Sequence, residues 1–205
     1  VDMETTVKGF DLKTIEAGSV GGAKLSVSGV VLSTPEGPDG EVGISLMAED
    51  PRELLRLTGL LPRGEDPQWS TALGATDLKI NLQAKPSEST PATYYDFNGK
   101  IGNLTVASNG SFMLSTGLKG TGIKGVTEIS SPSSATLINL LGGAIETVDA
   151  IPGKAVIVAD GVIQESFQID LQGDVYRSRV QYSGRVTPNA EGLVLDGDLT
   201  VQSPE

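Results

Sequence analysis

"DLKINLQAK", residues 77–85, alternates without a break: Leu78, Ile80 and Leu82 point one way, Lys79, Asn81 and Gln83 the other. A period of two residues is the signature of a strand with one buried and one wet face. The same pattern recurs on both sides of it. In "EVGISLMA" (41–48), Val42, Ile44 and Leu46 share a face. "YDFNGKIGNLTVA" (95–107) sets Tyr95, Phe97 and Ile101 on one side, then changes phase near Gly102 to Leu104 and Val106, which reads as a bulge or a tight turn.

Further on, "SFQIDLQGDV" (166–175) alternates Phe167, Ile169 and Leu171 against Gln168, Asp170 and Gln172. "YRSRVQYSGRV" (176–186) reads as a strand with Tyr176, Val180, Tyr182 and Val186 on one face and Arg177, Arg179, Gln181 and Arg185 on the other. "GLVLDGDLTV" (192–201) carries Leu193, Leu195, Leu199 and Val201. Strands that are apolar on one side only predict an antiparallel sheet with one solvated face. The turns are expected at "TPEGPDGE" (34–41), at "ASNGSF" (107–112) through a type I′ turn at Asn109-Gly110, and at Pro188-Asn189.

Two segments break the pattern. In "AEDPRELLRLTGLLP" (48–62), Asp50 is an N-cap, Pro51 the first helical residue and Glu53 a capping-box partner. Leu54, Leu55 and Leu57 form the apolar stripe, and Gly59 is a C-terminal stop. In "SSPSSATLINLLGG" (130–143), Ser131, Pro132, the stripe Leu137, Ile138, Leu140 and Leu141, and Gly142 repeat that order. The predicted helices are 51–58 and 132–141. Their recurrence suggests a degenerate repeat, with units of approximately 20–115 and 116–205 within a single segment spanning 1–205. The predicted fold is mainly β: a curved antiparallel sheet forming a groove, with two short helices.

Composition narrows the chemistry. The 205 residues carry a net charge of −11, with no His and no Cys. Phosphate binding needs clustered cations, so no nucleic-acid partner is expected. Imidazole bases, thiolates and disulfides are excluded, and with them most zinc sites. No stretch reaches the roughly 20 apolar residues of a membrane helix. The start at Val1, without Met, reads as a fragment or processed form of something longer.

Candidate chemical motifs are weak. "GTGIKG" (120–125) matches G-x-G-x-x-G, but a strand-like run follows it where dinucleotide binding needs a helix; a flexible glycine-rich crossing fits better. Asp196 and Asp198 share the outward face of a strand and read as solvated charges rather than a calcium or glycosidase pair. Trp69 reads either as a binding aromatic or as a residue packing its loop onto the sheet. No catalytic residue, cofactor or metal ligand is expected, and the chain is read as non-enzymatic.

The stretches "AGSVGGAKLSVSGVV" (17–31) and "GEVGISLMAEDPRELLRLTGLLP" (40–62) resemble the AsmA family of bacterial envelope proteins. The features that carry the likeness are a GG-x-K-L-x-V-x-G strand, a second alternating strand and a leucine-rich helical turn ending in Gly. A similar order runs from "SPSSATLINLLGG" (131–143) through "LQGDVYRSRVQYSGRV" (171–186). The resemblance implies a periplasmic protein of a Gram-negative envelope, held to the inner membrane by an anchor that this chain lacks. It implies a groove that shields phospholipid on its way to the outer membrane. On that reading Val42, Ile44, Leu46, Leu78, Ile80, Leu82, Phe97, Ile101, Val106, Phe167, Ile169, Leu171, Val180, Tyr182, Leu193, Leu195 and Leu199 line the groove. Leu54, Leu55, Leu57, Leu137, Leu140 and Leu141 plug it. The alternative is a β-sandwich binding or structural module, adhesin-like or carbohydrate-binding, with Trp69 at its site.

Overall fold

A computed structural model describes residues 2–6, 9–35, 37–57, 73–86, 92–115, 117–140, 151–162, 165–189 and 192–203. Four strands come first: β1 (Asp2–Thr6), β2 (Gly9–Val20), β3 (Ala23–Thr34) and β4 (Gly37–Ala48). The helix α1 (Arg52–Leu57) follows. Four more strands lead to the second helix: β5 (Thr76–Lys85), β6 (Ala92–Ile101), β7 (Leu104–Ser115) and β8 (Gly117–Ser131), then α2 (Ser134–Leu140). The last four are β9 (Gly153–Val162), β10 (Ser166–Val175), β11 (Ser178–Asn189) and β12 (Gly192–Gln202). All twelve form one sheet in chain order, each antiparallel to its neighbours, and the sheet does not close.

Each strand makes its substantial contacts with its chain neighbours only. The fold is therefore a long meander built from local hairpins. Ala48 opposes Thr76 across α1 and Ser131 opposes Gly153 across α2, so both helices leave the sheet at the same end.

The approaches to the two helices use one device, but α2 begins only at Ser134, so Ser131 is the last residue of β8 and Pro132 precedes the helix instead of opening it. The Asp50 carboxylate accepts a hydrogen bond from the Arg52 amide at 3.0 Å, and the Ser131 hydroxyl accepts one from the Ser133 amide at 3.1 Å. In each case the cap reaches two residues on, past a proline that has no N–H to satisfy. Glu53, expected to complete a capping box, instead pairs with Arg56 one turn later. The Arg52 guanidinium and amide hold the Asp50 carboxyl down at about 2, against 3.8 in an unfolded chain. A depressed carboxyl stabilises the folded state above its unfolded value, so this contribution is lost as pH falls from about 3.8 through about 2. An NMR titration of the carboxyl carbons should place the Asp50 midpoint near 2, and Arg52→Ala should return it toward 3.8.

Four local expectations are corrected. Residues 107–112 do not form a hairpin loop: Asn109 and Gly110 sit mid-strand in β7, opposite Asp96 and Tyr95. The turn is one step earlier, at Gly102, whose φ of 57° is left-handed. In 34–41 the strand resumes at Gly37, paired with Thr34, so the connection is two residues long. Tyr176 does not begin a strand. Tyr176 and Arg177 form the two-residue turn between Val175 and Ser178, with φ of 51° and 63°. "GTGIKG" lies inside β8, so there is neither a crossing loop nor a helix on which a pyrophosphate could sit.

Candidate functional site

Directly opposed residues of an antiparallel pair project from the same face. Register therefore extends the alternation of each strand across the whole sheet. One row runs from β3 to β12 through Val27, Ile44, Ile80, Phe97, Ser108, Thr127, Ile157, Leu171, Tyr182 and Leu199. A second row, nearer the helices, runs through Leu25, Leu46, Leu78, Gly99, Val106, Ile129, Ala155, Gly173, Val180 and Val201. Ile101 lies beyond it, opposite Leu104. On the far side come Gly29, Val42, Leu82, Tyr95, Gly110, Gly125, Ala159, Ile169, Gly184 and Gly197. Phe167, Val186 and Leu195 follow, then Leu193 opposite Pro188.

Sixteen of the seventeen residues expected to line a groove are thus brought to one face; the side chain of Leu193 lies outside the described residues. At about 3.4 Å per residue and about 4.8 Å between strands, that face measures about 20 by 43 Å from β3 to β12.

The two faces differ in accessibility as well as chemistry. Ile80, Leu82, Tyr95, Phe97, Ile169 and Leu171 are half-buried, whereas their chain neighbours Lys79, Asn81, Asp96, Gln168 and Gln172 are exposed. Among valines the contrast is partial: Val27, Val31 and Val42 are half-buried and Val30 and Val158 on the other face are 43% and 39% exposed, but Val126 and Val156 on that other face are half-buried too. In one layer of sheet this asymmetry is the mark of a face curled inward. Toward β12 it fades: Leu195, Leu199 and Val201 are 60–66% exposed.

The outer face carries the charge. Lys124 pairs with Asp160 at 2.9 Å and Lys154 with Glu128 at 2.8 Å, both across neighbouring strands and both exposed, so each contributes about 0–1 kcal/mol. Asp196 and Asp198 are on this face, opposite Arg185 and Ser183. Among the described residues no group of three or more acidic side chains is placed to hold a metal.

The helix α2 lies over one end of the apolar face. Leu137 is 4% exposed and packs with Leu104 and Val106, surrounded by Phe97, Ile101 and Ile129. It presses on Gly153, where a Cβ would come within 2.8 Å of the Leu137 methyl. Ser134, wholly buried, ties the helix down: its hydroxyl donates to the Pro152 carbonyl at 3.0 Å and accepts the Tyr176 amide at 3.2 Å. This second bond holds the Tyr176-Arg177 turn, where two non-glycine residues occupy the left-handed conformation that such turns require. Of the other expected plug residues, Leu54 is half-buried on α1. Leu55 and Leu57 fall in α1 and Leu140 in α2, but their side chains, like all of Leu141 and Trp69, lie outside the described residues.

Between α2 and strands β8 to β11 there is a cavity of about 300 Å³. It is lined by Ile129, Leu137, Ile138, Ala155, Ile157, Leu171, Gly173, Val175, Tyr176, Ser178 and Val180. Only Tyr176 and Ser178 bring side-chain oxygens. Sequence reasoning names Leu137, Leu171 and Val180 here and misses Ile129, Ala155, Ile157 and Val175. In "GKAVIVADGV" (153–162) Val156 and Val158 are on the outer face, so the run is apolar on both sides and its phase is hidden.

No family model, curated protein or solved structure matches the chain. No described helix is long and apolar enough to cross a membrane.

Proposed function

We propose that the inward-curled face is a non-catalytic lipid-shielding groove, the role that the AsmA-like pattern of the sequence implies. The observation that carries this reading is a register of apolar residues and glycines from β3 to β12, interrupted in its middle row by Ser108 and Thr127, on a sheet that has no second layer of strands over it among the described residues. Such a face is stable in water only if something covers it. A hydrocarbon chain gains about 0.8 kcal/mol per methylene on leaving water, or roughly 12 kcal/mol for a chain of about sixteen carbons. A wall of aliphatic side chains and glycines offers that gain with little preference for one position, which suits passage along the groove. The partner is phospholipid, and the setting is a periplasm between two membranes. The sandwich alternative, with Trp69 as its site, has no comparable support, because the strands form one sheet and not two.

Gently purified protein, extracted and analysed by mass spectrometry, should carry phospholipid. Ile157→Asp, at mid-face, should reduce that load at least about tenfold, since an unpaired carboxylate is costly beside hydrocarbon. Asp160→Ala on the outer face should leave it unchanged. Protein free of lipid that also rejects fluorescent acyl chains would overturn the proposal.

A further inference from the structure

The row of the apolar face nearest the helices changes character beneath α2. There β3, β4 and β5 carry Leu25, Leu46 and Leu78, while β8 and β11 carry Ile129 and Val180. Between those last two, β9 and β10 carry only Ala155 and Gly173, directly opposite each other. The backbone does not force this loss of side chain. At Gly99, in the same row, a Cβ would strike the Asp77 carbonyl at 2.0 Å. At Gly173 φ is not left-handed, and the atom nearest a Cβ would be the Lys154 carbonyl at 3.1 Å, which has to give by only a few tenths of an ångström.

The space these two residues leave is the cavity of about 300 Å³ under Leu137 and Ile138. The helix spans it instead of settling into it, because both of its anchors are on the rim. Leu137 is seated on Leu104 and Val106 of β7, and Ser134 is bonded to the Pro152 carbonyl and the Tyr176 amide. An empty volume under a helix is destabilising, and a cavity with aliphatic walls does not hold water. Of the two side-chain oxygens in the lining, that of Ser178 already has the Ser203 hydroxyl as a partner at 3.4 Å. At their other end the walls are Ile157 and Leu171, members of the middle row of the groove face, so cavity and groove share a wall.

We infer that this cavity is a discrete seat for the methyl end of a single acyl chain. The inference rests on the lipid-groove reading and adds a stopping place to an otherwise sliding surface. An apolar cavity of about 150 Å³ takes up one benzene, so one of about 300 Å³ has room for about twice that, on the order of twelve carbons. The methyl end enters first because no charged side chain lines the cavity. A carboxylate or ester end would give up its water there for hydrocarbon walls.

The test uses the full chain, purified and delipidated, and two photoreactive methyl dodecanoates. One carries a diazirine beside its methyl end, the other beside its carbonyl, and the adducts are mapped by mass spectrometry. The methyl-end probe should label Ile129, Ile157, Leu171 and Val175 at least about fivefold more than Ile44 and Ile80, farther along the same face, and excess dodecane should displace it. The carbonyl-end probe should lack that preference. Ala155→Leu fills the cavity from its floor, where Gly173 offers no opposing side chain. It should cut labelling under α2 at least about tenfold, leave Ile44 and Ile80 labelled, and raise the Tm of the lipid-free protein by about 2–6 °C. Even labelling along the face, the same map from both probes, or a map unmoved by Ala155→Leu would overturn the seat and leave the groove standing. A lower Tm for Ala155→Leu would also overturn the seat, by showing that α2 leaves no room beneath it. An apolar face that neither probe labels would overturn the groove reading, and the seat with it.

Discussion

Leu137→Ala should destabilise the protein by about 3 kcal/mol, lowering Tm by about 6–12 °C. The size of the effect follows from where Leu137 sits. The described core is sparse for a chain of this length, and Leu137 with Leu104 and Val106 forms its one cluster of buried residues. Truncation removes the contacts on which Phe97, Ile101 and Ile129 also close, and the sheet beneath cannot collapse into the gap because its backbone is fixed by ladder bonds on both sides. The cavity of about 300 Å³ next to it should grow rather than fill. Leu54→Ala on α1 is the matched control: Leu54 is only half-buried, and a loss of about 1 kcal/mol or less is expected. Urea denaturation of the two variants separates them. Equal losses would show that α2 does not anchor the end of the sheet. Lipid uptake by Leu137→Ala should persist, since the lining stays apolar.

The strand pattern is readable because the period-two signal is set by burial on one face, and a single-layer sheet keeps that signal along its length. "DLKINLQAK" identifies β5 and its buried face from residue order alone. Where the outer face is also apolar, as at Val156 and Val158, the signal vanishes, and Ile157 is missed although it lines the cavity. Both helices are legible from cap, proline and leucine stripe, because those devices act within one turn. The helix ends at Gly59 and Gly142 lie outside the described residues.

Long-range partners are not legible. Nothing near Ser134 in sequence announces that its hydroxyl meets the amide of Tyr176, forty-two residues on. That bond allows a turn with neither Gly nor Asn, and the lack of a turn signal is why Tyr176 reads as strand. The opposite holds at Asn109-Gly110. The dipeptide favours a type I′ turn locally, but β6 on one side and β8 on the other hold it extended. Its glycine is required for a tertiary reason, the backbone of β8 that a Cβ there would strike first.

A tyrosine makes two neighbouring glycines respond differently to the same change. Tyr95 projects from the groove face of β6 toward Gly110 on β7 and Gly125 on β8, which are opposite each other. A Cβ on Gly125 would stand 2.1 Å from the Tyr95 hydroxyl, the movable end of a side chain, and 2.9 Å from the Asn109 carbonyl. A Cβ on Gly110 would meet backbone first, the Lys124 carbonyl at 2.2 Å and the Gly125 Cα at 2.7 Å, with the Tyr95 hydroxyl third at 2.8 Å. Gly125→Ala should therefore cost about 1–3 kcal/mol, mostly by displacing the ring from its place on the sheet, whereas Gly110→Ala must push two strands apart and should cost about 4 kcal/mol or more. The pair is told apart by adding Tyr95→Ala to each. With the ring gone, the Gly125→Ala penalty should shrink by about 1–2 kcal/mol, a coupling typical of residues in contact. The Gly110→Ala penalty should hardly change. Denaturation midpoints for the two cycles check this. If Tyr95→Ala relieved both variants equally, the ring and not the strand backbone would be the barrier at Gly110. If it relieved neither, the close approach of Tyr95 to Gly125 would be unimportant to stability, and the bare glycine floor would owe nothing to the aromatic that lies across it.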